Sequence, residues 1–400
     1  MIAVVGIGAS GASERLPEGA LGLIGQAELV VGARRHLALV DAGRTHELRG
    51  DLERTFEAIE AAQGDSVLLA SGDPGFFGIV RALAERFGRE SLRVLPAASS
   101  VATAFARAGM SWDDALVVSV HGRDPRPAIN ACRAHPKVAI LTSPAFGPAD
   151  VAGELAGLGR RFLVAERLGE PGERVVEASA EGVASESWRD PNVVVVFDEA
   201  RVAAPLGWAW PRRPVPQRWA LGEEGFEHAA GMITKWEVRA LALARLGPGM
   251  GDQVWDVGAG SGSVAVECAR FGAAVVAIER DERACGHILR NAAAHGVELR
   301  LLRGEAPEAL AGLPIPDAVF VGGSGARFEE TLDLVAARVL RVAVVPLVGL
   351  DRVMQAKALL EAGGLATDVV LVQTARLEPL AGHQRLAPTN PVFLISAVRA

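Results

Sequence analysis

The stretch VWDVGAGSGSVAVECARFGAAVVAIERD, Val254 to Asp281, decides how the second half of the chain is read. A short apolar run ends in Asp256, and Gly258, Gly260 and Gly262 follow at alternate positions. A segment with helical spacing comes next, and then a second apolar run that closes on Glu279. Strand, glycine turn, helix and strand make the repeating unit of a doubly wound parallel sheet, and bare glycines let such a turn approach a ligand closely. Ser261 or Ser263 is placed to cap the helix with its hydroxyl. The spacing is GxGxG, which differs from the GxGxxG turn that sets a pyrophosphate on a helix N-terminus.

Working outward, QVWDV, AVVAIE, ELRLLRG, DAVFVGG and RVAVVP read as successive strands with helical stretches between them. FEHAAGMITKWEVRALALARLG precedes them as a helix that stops at Gly247-Pro248. In the first half, DSVLLA, ALVVSV, KVAILT, RFLVAER and NVVVVFDEA alternate with helix-like segments, the pattern of strands buried in a largely parallel sheet. Between the halves, APLGWAWPRRPVPQRWALG (Ala204–Gly222) carries a density of proline that neither helix nor central strand tolerates. The expected layout is a domain over 1–204, a Pro/Trp-rich linker over 205–216 and a second domain over 217–400, as suits a length of 400 residues.

The composition is that of a fully folded α/β chain, with half the residues apolar and 22% charged. A net charge of -7 argues against a wide basic face for duplex nucleic acid. Lys137, Lys235 and Lys357 are the only lysines, so nearly all positive charge is arginine, whose planar fork suits carboxylates. Cys132, Cys268 and Cys285 have neither the parity of a disulfide framework nor the CxxC spacing of a zinc site, so no metal is expected. The opening IAVVGIG lacks a basic leader, and VLRVAVVPLVGL is too short to span a bilayer. The expectation is a cytoplasmic protein with no membrane or nucleic-acid partner.

Three acids stand at consecutive strand ends of the second half: Asp256, Glu279 and, in RGEAP, Glu305 beside Ala306. With the GxGxG turn they resemble the class I S-adenosylmethionine-dependent methyltransferases, a Rossmann-like fold. The resemblance implies that the two oxygens of Glu279 take both ribose hydroxyls and that Glu305 lies beside the adenine. The Asn/Asp-Pro-Pro-aromatic motif of nucleic-acid amino-methylases is missing after the fourth strand, where DAVFVGGSG leaves room for a large flat acceptor.

The first glycine run, VVGIGASG at Val4 to Gly11, is weak alone, but LLASGDPGFFG at Leu68 and LPAASSVATAFARAGMSWDDA at Leu95 follow in order. Together these resemble the class III tetrapyrrole methylases, whose two-subdomain fold holds the cofactor in a cleft. SVHGRD, LTSPAFGPADVA and AERLGEPGERVVE extend the likeness to the cobalamin-pathway branch. Fused in this order, the motifs resemble the family of decarboxylating precorrin-6Y C5,15-methyltransferases.

That resemblance implies two S-adenosylmethionine sites, one on Gly72, Asp73, Phe76, Ser99, Ser100 and Leu141, the other on Thr234, Asp256, Gly258, Ala259, Gly260, Ser261, Gly262, Glu279, Glu305 and Ala306. It implies a precorrin substrate, methylated at C5 by the N-terminal half and at C15 by the C-terminal half, which also removes carbon dioxide from the ring C acetate. Arg123 and Lys235 are candidates for gripping peripheral carboxylates, and His121 for relaying a proton. A homo-oligomer is expected. Relatives usually carry an Asn after the fifth strand, in a run like Val-Ala-Asn-Ala-Val, where this chain has Pro346. Two other readings stay open on the residues: a nicotinamide-dependent oxidoreductase using both glycine turns, and a non-catalytic S-adenosylmethionine sensor.

Overall fold

The computed structural model describes residues 1–8, 16–200, 218–229, 233–322 and 325–399. They divide into two compact units, Met1–Pro125 with Pro136–Pro211 and Arg126–His135 with Arg212–Ala400. The expected linker over 205–216 lies outside the described residues, as does the end of the first glycine run, 9–11.

The first unit holds two five-stranded sheets. One is built from β1 (Ile2–Ile7), β2 (Leu29–Gly32), β3 (Thr45–Glu47), β4 (Ser66–Ser71) and β5 (Leu92–Leu95) in the order β3-β2-β4-β1-β5. Every neighbouring pair is parallel, so the loops after all five strands share one rim, the side on which open α/β sheets bind ligands. Val4, Val5, Val31 and Leu68 have no exposed surface, which explains why these strands read as unbroken apolar runs. At Gly6 a Cβ would lie 2.7 Å from the Ala97 nitrogen and closer still to the Gly72 carbonyl. Only glycine fits where β1 and the loops after β4 and β5 converge.

The second sheet orders β6 (Leu116–Ser119), β7 (Lys137–Leu141), β8 (Arg161–Glu166), β9 (Arg174–Ser179) and β10 (Asn192–Phe197) as β6-β7-β10-β8-β9. Only β6 and β7 run parallel; β10 is antiparallel to β7 and β8, and β9 to β8. The expectation of a largely parallel sheet therefore holds for the first sheet and fails for this one. The cause is burial: β10 is buried along its whole length, and a strand covered on both faces gives the same apolar run in either direction.

The second unit contains β11 (Gln253–Val257), β12 (Ala274–Glu279), β13 (Arg300–Arg303), β14 (Ala318–Val321), β15 (Val342–Leu347) and β16 (Leu365–Val372). A hairpin of β17 (Ala375–Leu380) and β18 (His383–Pro388) follows, and β19 (Val392–Arg399) returns to the sheet. The seven-stranded order is β13-β12-β11-β14-β15-β19-β16, with β11 to β15 parallel and β19 antiparallel to both neighbours. Pro346 pairs with Leu394 of β19, while the β14 register ends at Val344, so the missing N–H breaks no bond to β14.

A buried ion cluster fixes the segment ahead of this sheet. Arg239, with no exposed surface, donates to the Thr234 carbonyl at 2.7 Å and to the Leu221 carbonyl, and its guanidinium lies 4.7 Å from the Phe226 ring centre. Glu267, equally buried, accepts from the Leu221 N–H and from Arg270, each within 2.9 Å. Burial pulls the Arg239 guanidinium below its ordinary pKa, against the charge of Glu267. No described helix is long and apolar enough to cross a membrane.

Candidate active sites

In the first unit, a cavity of about 780 Å³ opens beside the rim of the parallel sheet. Gly72, Asp73, Phe76, Ser100 and Leu141 line it, as does His121, so six of the residues singled out from the sequence come together. Gly72 follows β4 with φ 62, and its N–H donates to the Ile7 carbonyl at 2.8 Å. A Cβ there would lie 3.3 Å from the Ser100 nitrogen, which shows how closely the loop passes the next helix start. One oxygen of Asp73 accepts from the Gly75 N–H at 2.8 Å and holds the turn closed, a use of its charge within the loop itself.

Ser99 is not among the lining residues. Its hydroxyl accepts from the Ala102 N–H at 3.1 Å and caps the helix Ser100–Ala108, so it shapes the cavity from behind. Arg123 does not line it either; its guanidinium lies 6.0 Å from the ring centre of Phe77. The arginine that does line the cavity is Arg35, in the short helix Arg34–Leu37 after β2, with His36 and Ser71 beside it. Sequence reasoning passed over this group. Its signal was VVGARRHL, an apolar strand ending in a glycine and then a basic cluster.

In the second unit, a smaller cavity of about 250 Å³ is lined by Gly258, Glu279, Glu305 and Ala306 from the expected set, together with Arg280, Gly325 and Arg327. Ala259, Gly260, Ser261 and Gly262 of the GxGxG turn are not among its lining residues. Gly258 and Ala259 donate to the Ile278 carbonyl at 2.9 and 3.0 Å, and Gly260 donates to Glu279 at 2.8 Å. The Ser261 carbonyl accepts from buried Asn291 at 2.8 Å. Gly262, at φ 73, is the N-cap of helix Ser263–Arg270 and supplies no side chain, which corrects the assignment of that cap to Ser261 or Ser263. A Cβ on Gly262 would lie 2.9 Å from Ile288, so packing excludes a capping side chain at that position.

Asp256 does the capping instead. Its Oδ2 accepts from the Ala265 N–H at 2.9 Å, inside the first turn of that helix. The residue is 1% exposed, and its Oδ1 has no hydrogen-bond partner. Burial pushes this carboxyl up to about 7; the Ala265 N–H opposes the shift and the charge of Glu279 adds to it. Glu279 is better satisfied. Its Oε1 accepts from the Arg280 and Asp281 N–H groups at 2.8 and 2.9 Å, and its Oε2 from Gly260. About four lone-pair positions serve a carboxylate, so one ribose hydroxyl fits directly and a second displaces a backbone donor.

Glu305 is exposed and paired with Arg280 at 2.8 Å. Thr234 stands apart from the cavity, with its carbonyl held by Arg239. Lys235, ahead of helix Trp236–Leu246, lies 3.8 Å from Glu223 and does not line the cavity.

These contacts bear on what the second turn holds. The amides that would bind a pyrophosphate are used by the protein's own carboxylates, Gly260 by Glu279 and Ala265 by Asp256. At the turn an anion would meet Glu279, whereas a cationic cofactor with ribose hydroxyl donors meets an acceptor; Arg280 and Arg327, which also line the cavity, are paired with Glu305 and with Glu308 and Glu330. The donor set fits S-adenosylmethionine and disfavours a nicotinamide dinucleotide.

The chain matches the family described as Tetrapyrrole (Corrin/Porphyrin) Methylases over residues 1–184 and the Precorrin methyltransferase domain over residues 224–399. It is 38% identical, over 98% of its length and 94% of the relative's, to a precorrin-6Y C(5,15)-methyltransferase [decarboxylating] of a Sinorhizobium species. Two relatives of half that length are also similar. A cobalt-precorrin-7 C(5)-methyltransferase of Salmonella typhimurium is 34% identical over 50% of this chain and all of its own. A probable cobalt-precorrin-6B C(15)-methyltransferase (decarboxylating) of Pyrobaculum calidifontis is 37% identical over 44% of this chain and 93% of its own. Neither an oxidoreductase nor a sensor has support among these relatives, and the family is S-adenosylmethionine-dependent. On a relative at 38% identity that spans nearly the whole of both sequences, the chain belongs to the decarboxylating precorrin-6Y C(5,15)-methyltransferase family.

Proposed function

We infer that this chain methylates a corrin precursor, precorrin-6Y/6B, at C5 and C15 with S-adenosylmethionine and removes the ring C acetate carboxyl as carbon dioxide, giving precorrin-8 in cobalamin biosynthesis. The observation that carries the two-site reading is the pair of unlike cavities, one in each unit, each beside a glycine turn at the carboxyl ends of parallel strands. The division of labour follows the layout of 1–204, 205–216 and 217–400: C5 methylation in the first domain, C15 methylation and decarboxylation in the second. The reading includes a cytoplasmic homo-oligomer, and a sedimentation measurement giving a monomer would remove that part.

The cofactor supplies a methyl group on a positively charged sulfur. The chain's task is to hold an electron-rich bridge carbon in line with it, and orientation of that kind accounts for a large share of a barrier. In the first unit the Gly72 turn and Ser100 form one wall, and the larger volume leaves room for the edge of a macrocycle. In the second, Asp256 fixes the helix start and Glu279 fixes Gly260, so the turn is set before anything binds. Decarboxylation moves the electron pair of the breaking C–C bond into the conjugated macrocycle, which serves as the electron sink.

Calorimetric titration of the chain with S-adenosylmethionine tests the count. Two molecules per chain are expected, with unequal affinities. A stoichiometry of one would leave one glycine turn as scaffold and sink the two-site reading.

A further inference from the structure

The cavity of the first unit carries three carboxylates, Asp73, Glu170 and Asp190, and one cation among its described lining residues, Arg35. All three carboxylates have partners inside the protein. Asp73 accepts from the Gly75 N–H at 2.8 Å, Glu170 from Arg167 at 3.2 Å and Asp190 from Asn192 at 3.2 Å. Arg35 is held differently, by one edge only. Its Nε donates to His36 Nε2 at 3.4 Å and its Nη2 to Ser71 Oγ at 3.0 Å, and the Ser71 hydroxyl lies 3.2 Å from the same His36 nitrogen. If Ser71 donates to His36 Nε2, the Arg35 Nε–H at 3.4 Å shares that nitrogen's single lone pair and is the weaker contact of the three.

His36 is 6% exposed, so this support is rigid, while the guanidinium it orients is solvent-facing. Gly32 eases the arrangement: a Cβ there would sit 3.1 Å from the Leu69 Cβ, a tight contact, and 3.6 Å from that of His36, so a bare Cα lets the short helix lie close to β4. Ser71 immediately precedes Gly72, so the Arg35 fork stands one residue from the turn that shapes the first site. The Nη1 edge has no partner among the described residues.

We propose that Arg35, aimed by His36 and Ser71, is the residue that grips a peripheral carboxylate of the tetrapyrrole in the first site and so sets which edge of the macrocycle faces the methyl donor. This rests on the reading of the first unit as the C5 methylase. A planar guanidinium with one edge fixed and the other free matches a carboxylate bidentately, a geometry an ammonium cannot reproduce. Within the first unit, the role expected of Arg123 passes to Arg35, the cation among the described residues that line its cavity.

The test uses the whole chain with Arg35→Gln, Arg35→Lys and Ser71→Ala, the corrin precursor and S-adenosylmethionine, with C5 and C15 products separated by mass spectrometry. For Arg35→Gln, KM of the C5 step for the tetrapyrrole rises about ten- to a hundredfold, the cost of a lost charged hydrogen-bonded pair. Its kcat changes little, as uniform binding requires. Arg35→Lys recovers part of the loss, Ser71→Ala shows a smaller rise, and cofactor affinity at the first site and the C15 step stay as in the parent.

An unchanged KM in Arg35→Gln would overturn the proposal, and so would an equal loss of cofactor affinity, which would make Arg35 a structural part of the cofactor site. Should Arg35→Gln not fold, Ser71→Ala and Arg35→Lys carry the same comparison. If the parent chain shows no C5 methylation, the functional reading fails by itself. Absorbance titration of the tetrapyrrole against parent and Arg35→Lys then still decides whether Arg35 holds it.

Discussion

Replacing Asp256 by asparagine should reverse part of the pH dependence of stability in the second unit. The carboxyl is buried, has one oxygen bonded to the Ala265 N–H and the other without a partner, and is pushed from 3.8 up to about 7 by loss of solvent. Between those values the folded chain keeps a proton that the unfolded chain has released. Stability therefore falls as pH rises through that window, and the favourable contribution, complete below 3.8, is gone above about 7. A shift of roughly three units is worth about 4 kcal/mol, an upper figure for a site that can relax.

Asn keeps an acceptor for Ala265 and cannot ionise. At acid pH it resembles the protonated acid, and by pH 8 the variant gains on the parent by up to about 4 kcal/mol. Denaturant titration of parent and Asp256→Asn at pH 5, 6, 7 and 8 reads this, with opening of the second unit followed by labelling of Cys268. That thiol lies in the same helix, is fully buried, and has its pKa pushed up by burial, so it reacts only on opening. Taking the ratio of the two proteins at each pH cancels the reagent's own pH dependence. Parallel stability curves would refute the argument, because they would mean that Asp256 is ionised in the folded chain at every pH tested.

Three further outcomes follow from the same geometry. Gly6→Ala forces a Cβ against the Gly72 carbonyl and to 2.7 Å from the Ala97 nitrogen, so calorimetry should show the first cofactor site lost and the second intact. Glu279→Ala frees the amides of Gly260, Arg280 and Asp281 and removes the hydroxyl acceptor; cofactor affinity at the second site should fall by about 1.5 to 3 kcal/mol with the first unchanged. Arg239→Met strands the buried Glu267 charge beside Arg270 alone, and denaturant unfolding of the second unit should lose about 3 to 5 kcal/mol.

The sequence announced what depends on local spacing. The strands β11, β12, β14 and β15 and the glycine turn between β11 and the helix Ser263–Arg270 were legible because the strands are buried apolar runs, while β13 was marked by its Leu301-Leu302 pair and the following Gly304. The edge of that sheet was not. β16 buries only Leu365 fully and its VVLV run is interrupted upstream by Thr367 and Asp368, and the separate hairpin of β17 and β18 is almost wholly exposed and carries no apolar run. Strand direction escaped too, since β8 and β10 are covered on both faces and look alike whichever way they run.

The sites divide along the same line. Gly72, Gly258 and Glu279 sit in motifs whose spacing is their geometry, and they line the cavities. Arg123 and Lys235 were chosen for charge alone, and charge does not tell where a side chain ends; one lies over Phe77 and the other beside Glu223. Arg35, His36 and Ser71 meet across 36 residues of sequence, and that meeting exists only because β2 and β4 are neighbours in the sheet.

The central claim is that one chain holds two unlike methylation sites. The most direct test is the mass of the product formed from precorrin-6Y by the parent chain, by Gly6→Ala and by Glu279→Ala with S-adenosylmethionine in more than twofold molar excess over the precursor. Two methyl groups gained and one carbon dioxide lost are expected for the parent, with Gly6→Ala stopping at a decarboxylated product one methyl short and Glu279→Ala slowing the decarboxylating step. A parent product carrying a single new methyl, or a Gly6→Ala product identical to the parent's, would contradict it.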